Sequence, residues 1–222
     1  MIHNTSLALL GGTFNPPHKG HIGPALEAIK EIGVSRLGLM PCKLPPHKCV
    51  GGIDEKHRVN MVQAVCKQSA LLYPELIELS LPSPSYTVQT LRELRRQHPK
   101  ATVYFLIGYD SLYNLPSWHE WQQLTDYCHL TVMRRTDGNV ALSAELTAFI
   151  DARREYEPDI MSGKPGGSIY FADTTLHTVS STALREAIAG TTRNETASLA
   201  KEWLEPDVID YIYKHQLYQI TE

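Results

Sequence analysis

The chain has 222 residues, of which 42% are hydrophobic, and a formal net charge of −3 at pH 7. This size suits one domain with an ordinary hydrophobic core. The small negative charge argues against binding to long nucleic acid, whose protein partners usually present a basic face. Residues 1–6 contain no Lys or Arg, and no apolar run approaches the length of a signal peptide core or a membrane span. We therefore expect a cytoplasmic protein with a single domain over 1–222 and neither a nucleic-acid nor a membrane partner.

Apolar runs typical of strands alternate along the chain with helical patterns. The strand-like runs are 7–10, 34–40, 76–81, 102–107, 130–133 and 168–172. The helical patterns are 21–32, 54–67, 85–97, 181–189 and 206–216, and a further surface helix is expected within 141–164. Such alternation predicts an α/β fold with a doubly wound, Rossmann-like parallel sheet. The C-terminal helical part is expected to begin at about residue 180.

The unusual residues of the chain follow directly after the predicted strands. In a doubly wound sheet, ligands bind outside the carboxyl ends of the strands, where the loops after them meet. The segments concerned are 11–21, 41–48, 83–87, 108–110, 134–135 and 174–185. We therefore expect one site built from several loops.

The first of these segments has the features of a phosphate-binding turn. Residues 7–21 read Leu-Ala-Leu-Leu-Gly-Gly-Thr-Phe-Asn-Pro-Pro-His-Lys-Gly-His. A strand, a glycine turn and a helix N-terminus direct backbone N–H groups to one point, and the lack of a Cβ at Gly11 and Gly12 would admit a phosphate closely. His18 and His21 are three residues apart, so one turn would direct both to the same place. That spacing is not the His-x-x-x-His of helical zinc sites, and no Glu stands beside the pair.

This segment resembles the first signature of the nucleotidyltransferase superfamily with the (T/H)xGH motif. The resemblance implies the fold of that superfamily and, for His18 and His21, contact with the phosphates of ATP, with His21 nearer the transferred group. Asn15 stands where many members of the family have Asp.

The segment Val-Ser-Ser-Thr-Ala-Leu-Arg at 179–185 resembles the closing signature of the same superfamily. Hydroxyl residues at a helix start provide donors, and the helix N-terminus adds about half a positive charge for an anion. Arg185, one turn later, can contribute a guanidinium to the same phosphate. The resemblance implies that Arg185 takes part in catalysis and holds the leaving phosphates. It implies an ATP site made of Gly11, Gly12, Thr13, Phe14, Gly20, Ser181 and Thr182.

Three further motifs resemble the bacterial nicotinate-nucleotide adenylyltransferases. They are Leu-Pro-Pro-His-Lys at 44–48, Pro-Ser-Tyr-Thr-x-x-Thr-Leu at 84–91, and the stretch from Ile-Gly-x-Asp-Ser at 107–111 through Pro-x-Trp at 116–118. The resemblance implies that nicotinate mononucleotide accepts the adenylyl group, with Trp118 as the platform for its pyridine ring. Trp118 could instead be a core aromatic residue beside Trp121. The implied acceptor site comprises Lys43, Ser85, Tyr86, Thr87, Gly108, Asp110, Trp118 and Arg135.

The implied cofactor is Mg²⁺ bound to the triphosphate of ATP, which requires no carboxylate cage on the protein. The four cysteines have no CxxC spacing and are expected to be reduced thiols. Cys42, His47 and Cys49 share a loop that offers no fourth metal ligand.

Two other functions remain open at this stage. The first is a sibling transferase that adenylates nicotinamide mononucleotide or pantetheine phosphate, or that transfers a cytidylyl group. The second is a nucleotide sensor on the same fold without enzymatic activity.

Overall fold

The computed structural model describes residues 5–43, 53–133 and 141–219. Within these ranges seven strands form one sheet, in which every neighbouring pair is parallel. Their spatial order is β3-β2-β1-β4-β5-β7-β6. The strands are β1 (Ser6–Gly12), β2 (Leu37–Pro41), β3 (Leu72–Pro74), β4 (Thr102–Gly108), β5 (His129–Met133), β6 (Arg154–Glu155) and β7 (Ile169–Ala172). The doubly wound α/β fold is therefore confirmed, with its switch point between β1 and β4.

Helices cover both faces of this sheet. They are α1 (Lys19–Glu31), α2 (Glu55–Lys67), α3 (Thr87–Gln97), α4 (Tyr109–Tyr113), α5 (Leu124–Tyr127), α6 (Ala144–Asp151), α7 (Ser181–Ile188), α8 (Ser198–Trp203) and α9 (Pro206–Lys214). Strand β4 is buried on both faces: Tyr104 and Leu106 pack with α1, α2 and α9, whereas Val103, Phe105 and Ile107 pack with α3, α5 and α6. This double burial is why the sequence of β4 is a continuous apolar run.

The prediction of a strand at 76–81 is wrong. The third strand is Leu72–Pro74, and Ile77–Ser80 forms a 3₁₀ helix. Pro74 has no N–H to donate, so it is unsuited to continuing a ladder. Consecutive residues Ile77 and Glu78 are both buried, which a tight turn permits and a strand with one solvent-facing side does not.

The helix expected within 141–164 is present as α6, but it is not simply a surface helix. Its residues Leu146, Phe149 and Ile150 are buried in the core on the α3 side of the sheet. In the part of the chain that the structure describes, no helix is long and apolar enough to cross a membrane. Cys42, Cys66 and Cys128 are free thiols, and Cys49 lies outside the described residues.

His129, the first residue of β5, is fully buried at the end of the sheet where the parallel strands begin. Nδ1 of His129 accepts the backbone N–H of Ser168 at 3.2 Å, so Nε2 carries the proton and donates to the Lys164 carbonyl oxygen at 3.2 Å. Burial lowers the pKa of His129. The folded protein therefore favours the neutral ring.

We expect this histidine to make the protein less stable in mild acid. Its pKa is lower in the folded state, so the unfolded chain binds the extra proton first and the free energy of unfolding falls as the pH drops below about 6.5. Denaturant titrations at pH 8 and pH 5.5 measure how much the free energy of unfolding falls between these two pH values. This fall should be about 1 kcal/mol smaller for His129→Gln than for the wild type. Equal pH dependence of the two proteins would contradict this role.

Candidate active site

The loops after β1, β2 and β4 surround a cavity of about 770 Å³, within the size range of small-molecule sites. The ends of the strands contribute Met40, Ile107 and Met133 to its wall, and the loop before α7 closes another side. Nearly all the residues predicted for the site line this cavity. They are Gly11, Gly12, Thr13, Phe14, Gly20, His21, Lys43, Ser85, Tyr86, Thr87, Gly108, Asp110, Trp118, Ser181, Thr182 and Arg185.

Among the described residues, His18 is the predicted site residue that does not line this cavity. His18 is 2% exposed and lies behind the wall, where its ring packs against that of His21 with 3.8 Å between centroids. Arg135 and the motif at 44–48 lie outside the described residues.

Gly11 and Gly12, predicted to form a turn, are the last two residues of β1, and both lie close to aromatic rings. A Cβ on Gly11 would lie 3.0 Å from the ring of Phe105, and one on Gly12 would lie 3.2 Å from the ring of Phe14. His18 directly precedes α1, and its carbonyl oxygen accepts the N–H groups of His21 and Ile22. The N-terminus of α1 therefore opens next to the cavity, where its partial positive charge attracts phosphate.

Gly20 allows the two signature segments to touch. A Cβ at this position would lie 2.4 Å from Cγ1 of Val179 and 3.0 Å from Nδ1 of His18. Gly23, one turn later on the same helix, has only His177 Nε2 near its Cβ position, at an ordinary 3.7 Å. Close approach thus requires glycine at position 20 and not at position 23.

Hydrogen bonds also join the two signatures. Ser180 is the N-cap of α7 and accepts the N–H of Ala183 at 3.1 Å, so the capping residue precedes the predicted pair Ser181-Thr182. Ser181 Oγ instead donates to the Pro16 carbonyl oxygen at 3.1 Å.

Arg185 both lines the cavity and holds the first signature. Its Nη1 donates to the Asn15 carbonyl oxygen at 2.7 Å, and its Nη2 donates to Thr182 Oγ1 at 3.1 Å. On the other side of Asn15, the hydroxyl of Tyr218 donates to Oδ1 at 2.6 Å. Tyr218 lies just after α9 and 203 residues from Asn15 along the chain, and it was not among the predicted site residues.

The two neighbouring tryptophans have different roles. Trp121 is buried and packs edge-on against Phe149, with 4.7 Å between centroids. Trp118 is half-buried and lines the cavity. Beside it, the exposed ring of His119 stacks on Tyr86 at 4.4 Å. The sequence analysis missed His119 because a single His in a polar turn is not distinctive.

The N-terminus of α3 forms the far wall of the cavity. The backbone N–H of Tyr86 donates to Gln89 Oε1 at 3.3 Å, and α3 begins at Thr87. The Lys43 ammonium donates to the Leu79 carbonyl oxygen at 3.2 Å and to that of Leu81. The charge of Lys43 is thus partly engaged by the main chain.

Two carboxylates belong to this region of the site. A Cβ on Gly108 would lie 2.5 Å from Asp110 Oδ1, so glycine lets the Asp110 carboxylate fold back over the start of α4. Glu78 is 7% exposed, and burial raises its pKa against the opposing effects of hydrogen bonds from Lys43 N–H, Ser85 and Thr90.

Arg58 is the largest fully buried side chain of the described residues, and the sequence analysis missed it. A signal was available, because Arg58 occupies the position that begins the apolar stripe of α2 at Met61, Val62 and Val65. Nowhere in 5–43, 53–133 and 141–219 do three or more His, Cys, Asp or Glu side chains form a group that could hold a metal ion.

The chain is similar to known proteins over nearly its whole length. Residues 9–187 match a family model described as cytidylyltransferase-like. The chain is 37% identical to a probable nicotinate-nucleotide adenylyltransferase of Pseudoalteromonas atlantica, covering 96% of this chain and 95% of the relative. It is 35% identical to a protein of the same description from Shewanella frigidimarina, covering 96% and 99% of the two chains.

Solved structures show the same fold. A Plasmodium falciparum nicotinic acid mononucleotide adenylyltransferase complexed with NaAD superposes with a TM-score of 0.68 at 19% identity, covering 97% of this chain and 98% of that one. A structure of the Plasmodium falciparum enzyme complexed with APC gives a TM-score of 0.67 at 18% identity, with the same coverage.

Gly20 and Gly23 provide a matched pair of substitutions. Gly20→Ala should lower the free energy of unfolding by about 1–3 kcal/mol, because the added methyl group is forced into Val179 and His18. Gly23→Ala should raise it by up to about 1 kcal/mol, since alanine favours the helix and its methyl group makes only an ordinary van der Waals contact with His177. Thermal or denaturant unfolding measures both, and equal stability of the two variants would show that the close contact at Gly20 is unimportant.

Proposed function

Since this chain belongs to the cytidylyltransferase-like family, and within it to the nicotinate-nucleotide adenylyltransferases, we propose that it transfers the adenylyl group of ATP to nicotinate mononucleotide. The products are nicotinate adenine dinucleotide and pyrophosphate, and the reaction belongs to NAD biosynthesis. The observation that carries this proposal is that one cavity is lined by His21, Arg185 and the starts of α1 and α7, and also by Trp118 and the start of α3. The first group suits a polyphosphate and the second an aromatic acid.

The reaction needs alignment more than it needs a general base. A phosphate monoester is largely dianionic near pH 7, so an oxygen of the acceptor phosphate can attack the α-phosphorus of ATP directly. A new P–O bond forms there while the bond from the α-phosphorus to the bridging oxygen breaks, and pyrophosphate leaves with the electron pair. The protein's task is to hold the two nucleotides in line and to stabilise the charge on the transferred group.

We assign the donor side to the two signatures. His21 would donate a hydrogen bond to the α-phosphate, with His18 packed behind it. Arg185 and the start of α7, with Ser181 and Thr182, would bind the β- and γ-phosphates. Gly11, Gly12, Thr13, Phe14 and Gly20, from the end of β1 to the start of α1, would line the site for the nucleotide.

We propose that Mg²⁺ enters bound to the triphosphate. The donors at this end of the cavity are N–H groups, imidazole and guanidinium, which fit a phosphate chain that brings its own metal ion. When bound, Mg²⁺ would neutralise charge on the phosphates. No protein carboxylate is assigned as its ligand.

We assign the acceptor to the opposite end. The indole of Trp118 would stack on the pyridinium ring, which gains about 1–2 kcal/mol when desolvated. Thr87 and the backbone N–H groups at the start of α3 would bind the carboxylate, where the Tyr86 N–H would have to exchange its bond to Gln89 for one to the substrate. The remaining residues assigned to this side are Lys43, Ser85, Gly108, Asp110 and Arg135.

We further propose that 1–222 form one domain that acts in the cytoplasm. In support, β1 and β7 belong to the same sheet, and Ile212 of α9 packs in the same core cluster as Met61 of α2.

The function is tested by product formation with ATP and either nicotinate mononucleotide or its amide. We expect the acid to be adenylylated with a kcat/KM about 30- to 1000-fold above that of the amide, because the amide turns an NH₂ group towards donors that the carboxylate would satisfy. Pyrophosphate release and chromatography of the dinucleotide give the readout. Release with pantetheine phosphate but not with nicotinate mononucleotide would reject the proposal.

The assignment of His21 predicts a loss in the chemical step. His21→Ala should lower kcat by about 10²–10³-fold with a smaller change in KM, as expected for a donor that acts mainly in the transition state. Steady-state kinetics with both substrates measure this, and His177→Ala, a change of another histidine that lines the cavity, is the control for loss of a ring. An unchanged kcat in His21→Ala would mean that the residue is only structural.

A further inference from the structure

A buried guanidinium links the loop after β1 to the loop after β2. Nη1 of Arg58 donates to the Thr13 carbonyl oxygen at 2.9 Å, and Nη2 donates to the Cys42 carbonyl oxygen at 2.8 Å. The two loops also touch directly, since the N–H of Cys42 donates to the Gly12 carbonyl oxygen at 2.9 Å. Arg58 thus holds residues 11–18, called the phosphate turn below, against residues 42–43 at the start of the loop after β2.

A buried carboxylate continues this link to the acceptor end. The N–H of Lys43, the residue after Cys42, donates to Glu78 Oε1 at 3.0 Å. The same oxygen accepts the Ser85 hydroxyl at 3.1 Å, and Oε2 accepts the Thr90 hydroxyl at 3.5 Å. Ser85 directly precedes the N-cap of α3, and Thr90 lies in its second turn. The connection therefore runs from the phosphate turn through the main chain at 42–43 to the start of α3.

The charged side chains of Arg58 and Glu78 are both buried, so their hydrogen bonds are important for stabilising the charges. Arg58 is fully buried, and its ion-pair contact to Glu55 is at the 4.0 Å limit, with a partner side chain that is 41% exposed. A buried charge is costly unless hydrogen bonds compensate it, and here main-chain carbonyl oxygens on two loops do so. The planar fork of arginine can bridge two such acceptors, whereas the single ammonium of lysine cannot reproduce that geometry.

We propose that Arg58 and Glu78 are positioning residues that act as one unit and set the location of the phosphate turn relative to the acceptor pocket. The inference rests on the proposed adenylyl transfer, in which the attacking oxygen must lie about 3–3.5 Å from the α-phosphorus and in line with the leaving group. Neither residue is assigned contact with the reacting atoms. A misplacement of about 1 Å can cost about 100-fold in rate, so their effect should fall on kcat.

The kinetic test compares Arg58→Lys, Glu78→Gln and the double variant. We expect Arg58→Lys to lower kcat by about 10- to 100-fold and Glu78→Gln by about 3- to 30-fold, with KM for ATP changed less than about threefold. The double variant should have the same kcat as Arg58→Lys, with none of the further loss seen in Glu78→Gln alone, because residues that act as a unit are not additive. Multiplied losses in the double variant, or an unchanged kcat in Arg58→Lys, would overturn the proposal.

Val62→Ala is the matched control for stability. Val62 is fully buried on the same helix, one turn after Arg58, and belongs to the apolar core. This variant should lose stability yet keep the wild-type kcat at temperatures where it is folded. If Val62→Ala lowers kcat as much as Arg58→Lys at equal stability, the role of Arg58 is merely structural and the proposal fails.

Hydrogen–deuterium exchange tests whether Arg58 and Glu78 act as one unit, and this measurement does not depend on the reaction. Arg58→Lys should raise exchange both in the turn at 11–18, which Arg58 touches, and at 83–87, which it does not. Increased exchange confined to 11–18 and 42–43 would overturn the inference. In contrast, a wild-type protein that makes no nicotinate adenine dinucleotide would overturn the proposed function, so the two failures are distinguishable.

Discussion

The parallel pairing of β1 with β4 is the contact on which the rest of the structure depends. The chain leaves β1, builds outwards through β2 and β3, and returns to place β4 on the other side of β1. The connections after these two neighbouring strands therefore run in opposite directions and leave a crevice between them. Gly11 at the end of β1 and Gly108 at the end of β4 both line that crevice. The topology alone thus determines where a ligand can lie, and the loops determine which ligand it is.

Within the crevice, neither the signature at 7–21 nor the one at 179–185 is sufficient by itself to indicate a phosphate site. Helix α7 has only eight residues, and a hydroxyl-rich helix start is common in proteins of every function. Its significance arises from contact with the first signature, because Ser181 and Arg185 donate to the carbonyl oxygens of Pro16 and Asn15. Those bonds place two helix N-termini around one point although their sequences are some 165–170 residues apart. Since Arg185 donates to the Asn15 carbonyl oxygen and also lines the cavity, one side chain connects the loop after β1 to the cavity wall.

Sequence patterns predicted the features that follow from local chemistry. The continuous apolar run of β4 is an example, since burial on both faces demands apolar residues throughout the strand. The prediction of a strand at 76–81 was wrong because the alternating residues of this run suit a strand. The burial of Glu78 depends instead on hydrogen bonds from Lys43, Ser85 and Thr90, which lie in other segments. Trp118 and Trp121 were equivalent in sequence, and only the turn between them separates a cavity wall from the core. The burial of Arg58 could have been predicted from its place in the apolar stripe of α2, but its partners could not, since they are carbonyl oxygens that carry no side-chain signal.

The overall charge of the chain appears at odds with two anionic substrates, but binding depends on the local field. At distances beyond about 8–10 Å, exposed charges are largely screened at physiological salt, so the net charge of −3 has little influence inside the cavity. Nearby acidic groups of α1 are already engaged: Glu27 accepts the N–H of Thr175 at 2.6 Å and Glu31 that of Asp173 at 3.1 Å, which fixes the loop before α7. His21, Arg185 and the starts of two helices line the cavity, where a nucleotide that enters can meet them at close range.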